Sequence, residues 1–570
     1  MSHHSLAERE SATSPQIQSG KVEVRAKDTR STRPVLLLVA VAGLLLLVRL
    51  SPVMRRPGIA WAITSDAVGY VRLAEGLATG CGFAPRFGDS CGPAEVFRTP
   101  GYPLFLAALP SLRTALVIQD ALGAGICLLV GLFAWRQWGL IAGLLAELLC
   151  GFHIPSIFWG NYVMTEILFT SLITPAFLLQ LIAIKKGTLE GWTLVAIVGA
   201  GVLVGIAALV RPIGQLLIIG VPIPFFFLHQ ISLRKRVTLI LLSLCLPGIV
   251  MVAWRYRNYE RRGVWTFSSA GAFDLYTTTA ARVLSYETAR PLAEVEADLV
   301  RSLPRIGDAN AHWSRKNLQN SWSKTFDVRL IVTNGLTETD GLPRLYMYTP
   351  GDASWSNVLD ADPAKMKHRA FQVLLDHPWA AAVVTGKPFL KNCFCVERAV
   401  LGSFLFGGGF NLERRGSRSR FFVTLAYTYP WLAFLTFVEI ALLAFTWMGV
   451  GLALARTAHA RLRPAALIVI PLCGALLLLA TAAPVTDWSD WDRYRVPVMP
   501  MLALVAAFGW IGGAARPGDN VRERKDMTRI YLSIALMLGM LVVLAMPAGL
   551  CSAPGPAASL ASSTVLPAPR

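Results

Sequence analysis

Apolar residues in this chain come in long unbroken blocks, with neither the alternation of a half-buried strand nor the narrow stripe of a surface helix. The blocks run through about residues 34–50, 113–134, 139–158, 166–184, 191–210, 213–230, 237–254, 427–454, 464–483, 496–514 and 528–547. Each approaches the ~20 residues with which an α-helix crosses ~30 Å of hydrocarbon. A segment inside a bilayer must satisfy its own backbone hydrogen bonds, which favours helices at these positions. The pattern predicts an all-α polytopic membrane protein with about eleven transmembrane helices. Residues 1–34, polar and rich in Ser, Lys and Arg, read as a cytoplasmic disordered tail. They lack the compact apolar core and cleavage site of a secretory signal. Residues 548–570 read as a flexible tail.

Composition agrees. Hydrophobic residues make up 54% of the 570 and charged residues 16%, against roughly a quarter charged in a soluble chain. A soluble multidomain enzyme, a disordered chain and a small disulfide scaffold are excluded. The formal net charge of +19 would suggest nucleic acid on a soluble protein. Here the basic residues are not gathered into one arm with stacking aromatics, and no nucleic-acid partner is expected. They sort by membrane side instead. Arg136; Lys185 and Lys186; Arg234, Lys235 and Arg236; Arg456, Arg461 and Arg463; and the run from Arg516 to Arg529 fall on one side of the alternating spans. The positive-inside rule makes that side cytoplasmic.

The amino terminus is then inside and the carboxyl terminus outside. Three outer segments result: a first loop over 51–112, a long segment over 255–426 large enough for a mixed loop domain, and the short loop Thr486–Arg495. Residues 35–254 form an amino-terminal transmembrane module, and 427–547 the carboxyl-terminal helices. Cys81 and Cys91 share the first outer loop, where an oxidising exterior permits a bridge, and two free thiols are the alternative. Cys127, Cys150, Cys245 and Cys473 lie in spans as small packing residues. No cysteine spacing suits zinc.

The informative charges gather where spans meet the outer surface. Asp66, in Thr64-Ser65-Asp66-Ala67, precedes Tyr70, Leu73 and Leu77 at amphipathic spacing. Ser65 or Asp66 suits a helix N-cap; the alternative is a carboxylate at the membrane surface able to accept a proton. Phe97-Arg98-Thr99-Pro100-Gly101-Tyr102-Pro103 turns the first loop back to the membrane. Arg98 is either a headgroup anchor or a phosphate ligand, since a guanidinium donates in a fork and stays charged. Glu166 opens the fourth span, where it complements the helix dipole or supplies a second carboxylate. Arg211 closes the fifth span, Arg255 and Arg257 the seventh, and Arg493-Tyr494-Arg495 precede the tenth. Asp490-Trp491-Asp492 matches the acidic triplet of metal-dependent sugar-nucleotide enzymes, but such donors are cytoplasmic and a pocket rim fits the location better. A transporter would hold its ionisable groups near the midplane, and here only Asp120 and Glu147 come near, as packing or boundary residues. A lipid-linked glycan polymerase or ligase would use loop Arg and His; His377 is the one candidate, alongside a plain turn role.

Taken in order, the first-loop Asp66 with Tyr70, the Arg98-to-Leu106 turn, Thr165-Glu166, Arg211-Pro212 and Arg493-Tyr494-Arg495-Val496-Pro497 resemble the bacterial GT-C glycosyltransferases. The protein O-mannosyltransferase and lipid A aminoarabinose transferase group is the most similar. The resemblance covers the first span to about residue 270 and again about 485–510. It implies a polyprenyl-phosphate sugar donor, a glycan, lipid or protein acceptor, contact with membrane lipids, and transfer on the periplasmic face of a bacterial inner membrane. It further implies that Asp66 and Glu166 are catalytic and that Arg98 contacts donor phosphate. Arg211, Arg255, Arg493 and Arg495 are the further phosphate ligands expected, and Tyr70, Tyr102 and Tyr494 line the substrate pocket. Many relatives carry Asp-Glu in the first loop, whereas Ala67 follows Asp66 here. No metal ligand and no cofactor is therefore assigned, and use of a divalent metal stays open.

Overall fold

The computed structural model describes residues 32–56, 58–87, 90–188, 191–227, 231–304, 361–395, 430–457, 462–485 and 492–511. The predicted span 528–547, both tails and much of the long outer segment lie outside these. Helix α1 covers Thr32–Arg55, so it takes in the last three residues of the stretch expected as tail. The first outer loop carries α2 (Ser65–Ala78), a hairpin pairing β1 (Arg86–Phe87) with β2 (Ser90–Cys91), and α3 (Gly101–Ala107). A Cys81–Cys91 disulfide closes the hairpin. Then come α4 (Leu112–Trp138), α5 (Leu140–Gly151), α6 (Ile154–Gly160), α7 (Glu166–Lys186), α8 (Gly191–Val210) and α9 (Leu233–Arg262).

The described outer segment is helical: α10 (Ala270–Asp274), a π turn over Leu275–Ala280, α11 (Ala281–Thr288), α12 (Leu292–Arg301), α13 (Pro363–Asp376) and α14 (Pro378–Phe394). Its own small core joins Tyr276, Met366 and Ala370. The expected mixed character is not seen there; the one strand pairing among the described residues is the first-loop hairpin. Helices α15 (Pro430–Thr457), α16 (Leu462–Ala482) and α17 (Met499–Ile511) complete the bundle, with a 3-10 turn over Arg493–Val498 leading into α17.

Eight described helices are long and apolar enough to cross a membrane, nine if the pair α5–α6 counts as one. The protein is thus an all-α polytopic membrane protein apart from the small hairpin. The expected count of eleven differs at identifiable places. The block 213–230 is two 3-10 segments, Pro212–Gly220 and Ile223–Phe227, because prolines at 212, 222 and 224 remove backbone donors that a continuous α-helix needs. The block 139–158 bends by 53° between α5 and α6, with Pro155 in the first turn of α6. The core lies between α4, α7, α8, α15 and α17, around Leu116, Phe169, Ile173, Val204 and Leu502. The window of α9 is only 17% buried inside the protein; its apolar outer face suits lipid.

Candidate active site

Five charged side chains from five separate elements converge at one end of the bundle. Helix α2 begins at an N-cap provided by Thr64, whose Oγ1 accepts the Ala67 N–H at 3.2 Å. The cap is therefore neither Ser65 nor Asp66, and Asp66 stands in the first turn with its carboxylate available. The Val163 N–H donates to the Ala62 carbonyl at 3.0 Å and Thr64 Oγ1 donates to Met164 Sδ at 3.2 Å. These bonds stitch the first loop to the turn that leads into Glu166.

Arg98 Nη2 lies 3.3 Å from Asp66 Oδ1, and Arg493 Nη1 lies 3.1 Å from Asp66 Oδ2. Arg493 Nε also bonds Glu166 Oε1, which Arg211 Nη1 approaches at 2.5 Å. Arg493 thus bridges the two acids. Among these five groups three guanidiniums face two carboxylates, an excess of one positive charge. The two acids are not equivalent: the Asp66 side chain is 39% exposed and Glu166 is fully buried. Burial pushes the Asp66 carboxyl up, but Arg493, then Arg98 and Arg211, outweigh it and hold it below its ordinary value.

Each arginine has a local reason for its place. A proline disfavours helical backbone in the residue before it, so Pro212 ends α8 at Val210 and leaves Arg211 extended at φ −137°, ψ 130°. Thr99 Oγ1 donates to the Val210 carbonyl at 3.2 Å, tying Arg98's loop to the same helix end. Gly101 makes that approach feasible, since a Cβ there would meet the Leu209 carbonyl carbon at 2.8 Å. The Arg493 guanidinium stands 5.4 Å over the Trp159 ring, and Trp159 Nε1 donates to Asp492 Oδ1 at 3.2 Å.

The aromatic residues line the cluster in different ways. Tyr70 meets Tyr102 edge-on at 5.1 Å and lies under the Arg98 guanidinium at 5.2 Å. Burial, then the Asp66 charge, raise the Tyr70 phenol above its ordinary value and keep it protonated. Tyr102 is buried with its hydroxyl donating to Gln119 Oε1 at 2.6 Å, so it forms a wall behind Tyr70. The Tyr494 ring faces Arg211 at 5.9 Å.

Two expected arginines point elsewhere. Arg255 donates to Gln215 Oε1 at 2.9 Å. Arg495 is fully buried, with Nε donating to the Asn392 carbonyl at 3.1 Å and Nη2 to that of Cys395. On a 3-10 turn of about three residues, a position two further along faces away, so Arg495 ties the end of α14 to the bundle while Arg493 meets the acids. His377 lies between α13 and α14, 4.0 Å from Glu287 and apart from the cluster. Most of the Asp490-Trp491-Asp492 triplet lies outside the described residues.

Sequence reasoning passed over Gln119, whose Nε2 donates to the carbonyls of Gly160 and Tyr162 at 3.0 and 2.9 Å. It thereby joins Tyr102 to the turn before Glu166. A lone amide inside an apolar block was the available signal.

No family model and no curated protein matches the chain. Among solved structures it is similar to the archaeal oligosaccharyltransferase AglB from Archaeoglobus fulgidus, in complex with an inhibitory peptide and a dolichol-phosphate. That match has 13% identity and a TM-score of 0.42, covering 91% of this chain and 56% of the archaeal one. The chain thus spans little more than half the length of that protein. It is also similar to ArnT from Cupriavidus metallidurans bound to undecaprenyl phosphate, at 14% identity and a TM-score of 0.33, covering 85% and 78%. The apo state of ArnT gives 13% and 0.32.

Proposed function

We propose that this protein is an integral-membrane inverting glycosyltransferase of the GT-C type. It moves a sugar from a polyprenyl-phosphate donor to an acceptor on the extracytoplasmic face, in a bacterial inner membrane. The observation that carries this reading is the asymmetric cluster: one exposed carboxylate and one buried carboxylate bridged by Arg493 within a surplus of guanidiniums.

An excess positive charge at a span end suits a monoanionic phosphate held at the headgroup level. Such a leaving group departs as a stable anion and needs no general acid. The site has to supply charge stabilisation and a base for the acceptor. Asp66, the exposed acid, takes the proton from the acceptor hydroxyl or amine. The new bond to the anomeric carbon forms from the face opposite the phosphate, the anomeric C–O bond breaks, and its electron pair passes to the phosphate oxygen. Arg98, Arg211 and Arg493 stabilise that oxygen. Glu166 has no exposure from which to meet a substrate and holds Arg211 and Arg493 in place.

The two carboxylates do not form a cation cradle. Each is already bonded by two guanidiniums, Ala67 follows Asp66, and the described residues contain no group of three or more metal-ligating side chains. No step is routed through a metal.

The test is transfer of labelled sugar from defined polyprenyl-phosphate donors by the purified protein. Asp66→Asn is expected to lower kcat by about 100-fold or more, within the range for loss of a general base. Arg98→Ala is expected chiefly to raise the KM for donor. Undiminished turnover in a folded Asp66→Asn variant contradicts the assignment.

A further inference from the structure

We infer that Glu95 is the positioning residue for Arg98, fixing the direction in which that guanidinium is presented to the Asp66 side of the cluster. Glu95 is buried at 7% exposure, three residues before Arg98, and does not touch Asp66 in any described contact. Its Oε1 accepts the Phe97 N–H at 2.5 Å and the Arg98 N–H at 3.2 Å. One carboxylate oxygen therefore folds residues 95–98 into a tight turn from within, in the way a capping side chain satisfies neighbouring amides.

The turn is held from outside as well. The Glu95 carbonyl accepts Arg257 Nη1 at 2.5 Å, and Arg257 Nη2 reaches the Phe83 carbonyl at 2.9 Å. The Ser269 N–H donates to the Val96 carbonyl at 2.9 Å, and Ser268 Oγ donates to that of Phe97 at 2.5 Å. Those bonds hold the carbonyl ends of the 96–97 and 97–98 peptide planes, and the Glu95 carboxylate holds the N–H ends of the same two planes from within the turn. Without it, two N–H groups in a buried turn lose their acceptor, and the turn reorients to find another. Arg98 then leaves Asp66, and with it the donor phosphate.

The inference rests on the proposed function for its consequence in catalysis, but not for its geometry, and the test separates the two. In the purified full-length protein, the Asp66 carboxyl is titrated by infrared difference spectroscopy, its band identified by loss in Asp66→Asn. Asp66 faces Arg98, Arg493, Arg211, Glu166 and, on its own helix, Tyr70. Of these, only Arg98 follows Glu95 in the 95–98 turn. In Glu95→Ala the proton affinity of Asp66 is expected to rise about tenfold, the low end of what an adjacent opposite charge commands. Glu95→Gln keeps an acceptor oxygen at the same place and is expected to stay within about twofold of wild type.

A parallel measurement uses undecaprenyl phosphate as ligand, with inorganic phosphate and the uncharged polyprenol as separate arms. Glu95→Ala is expected to weaken lipid-phosphate binding about tenfold and Glu95→Gln hardly at all. An unmoved Asp66 titration in a folded Glu95→Ala variant overturns the inference, as does failure of the glutamine variant to restore it. Should Glu95→Ala not fold, Glu95→Leu, which fills similar space and has no acceptor oxygen, is titrated instead and judged the same way. Absence of lipid-phosphate binding by the wild type overturns the donor assignment and leaves the positioning role to stand on the titration.

Discussion

Asp66 and Glu166 carry the same charge and yet are set up for different work. Asp66 accepts two guanidiniums and keeps one side open; Glu166 accepts two guanidiniums and has no opening. A base works only when ionised, and the arginines hold Asp66 below the ordinary aspartate value of 3.8. In the proposed mechanism its contribution to turnover is therefore complete at neutral pH and is lost only as pH falls through that lowered value. Its contribution to stability has the same sign, present above the unfolded value and lost on acidification through the folded one. In kcat/KM for donor, which reports the free enzyme, no acid limb from this group is expected above about pH 4. Bound donor places an anion among the same guanidiniums, draws them off Asp66 and makes it more basic. The acid limb of kcat should therefore lie higher than that of kcat/KM, and pH–rate profiles of the two parameters check it. Coincident limbs would show that phosphate does not share these arginines.

Several elements exist in their observed form because of single backbone requirements. Helix α8 stops where Pro212 demands it, α2 starts where Thr64 caps it, and α3 meets α8 only because residue 101 lacks a Cβ. Gly101→Ala would push α3 from the Leu209–Val210 backbone, and backbone cannot yield as a side-chain end can. Overpacking of this kind costs about 1–3 kcal/mol. The expected result is a lowered thermal midpoint in detergent together with weaker donor binding, because the displaced helix carries the Arg98 loop with it. A variant with wild-type melting would show that the contact relaxes freely.

The blocks of apolar sequence were enough to place nearly every described membrane-spanning helix, since length and hydropathy decide what enters a bilayer. They could not foresee the 53° break between α5 and α6 or the 3-10 character of 212–227, because both depend on how prolines and neighbours redistribute backbone hydrogen bonds. At the cluster, Glu166, Arg211 and Arg493 were legible as charges at apolar block ends, and Asp66 and Arg98 as charges in the loop between the first two blocks. Arg255 and Arg495 met the same criterion and bond elsewhere, since helical phase rather than sequence distance decides which neighbour faces the acids. Glu95 and Gln119 gave almost no signal: their importance lies in backbone amides and carbonyls, which every sequence contains.

At the scale of the whole molecule, the cluster sits at the start of α7, the end of α8 and the entry to α17, while Lys185 and Lys186 close the opposite end of α7. The positive-inside rule predicts the lysines inside and the cluster outside. Cysteines introduced one at a time at Arg301, whose side chain is 75% exposed on α12, and at Lys186 test this orientation. A membrane-impermeant maleimide applied to spheroplasts should label the first and reach the second only after permeabilisation. The reverse pattern would place the cluster in the cytoplasm.

Arg493 stands 427 residues after Asp66 and 327 after Glu166 in the chain. A ribosome therefore builds and inserts both acid-bearing walls long before it reaches the residue that locks them together. A product cut short ahead of that codon carries both acids but lacks the guanidinium that bridges them.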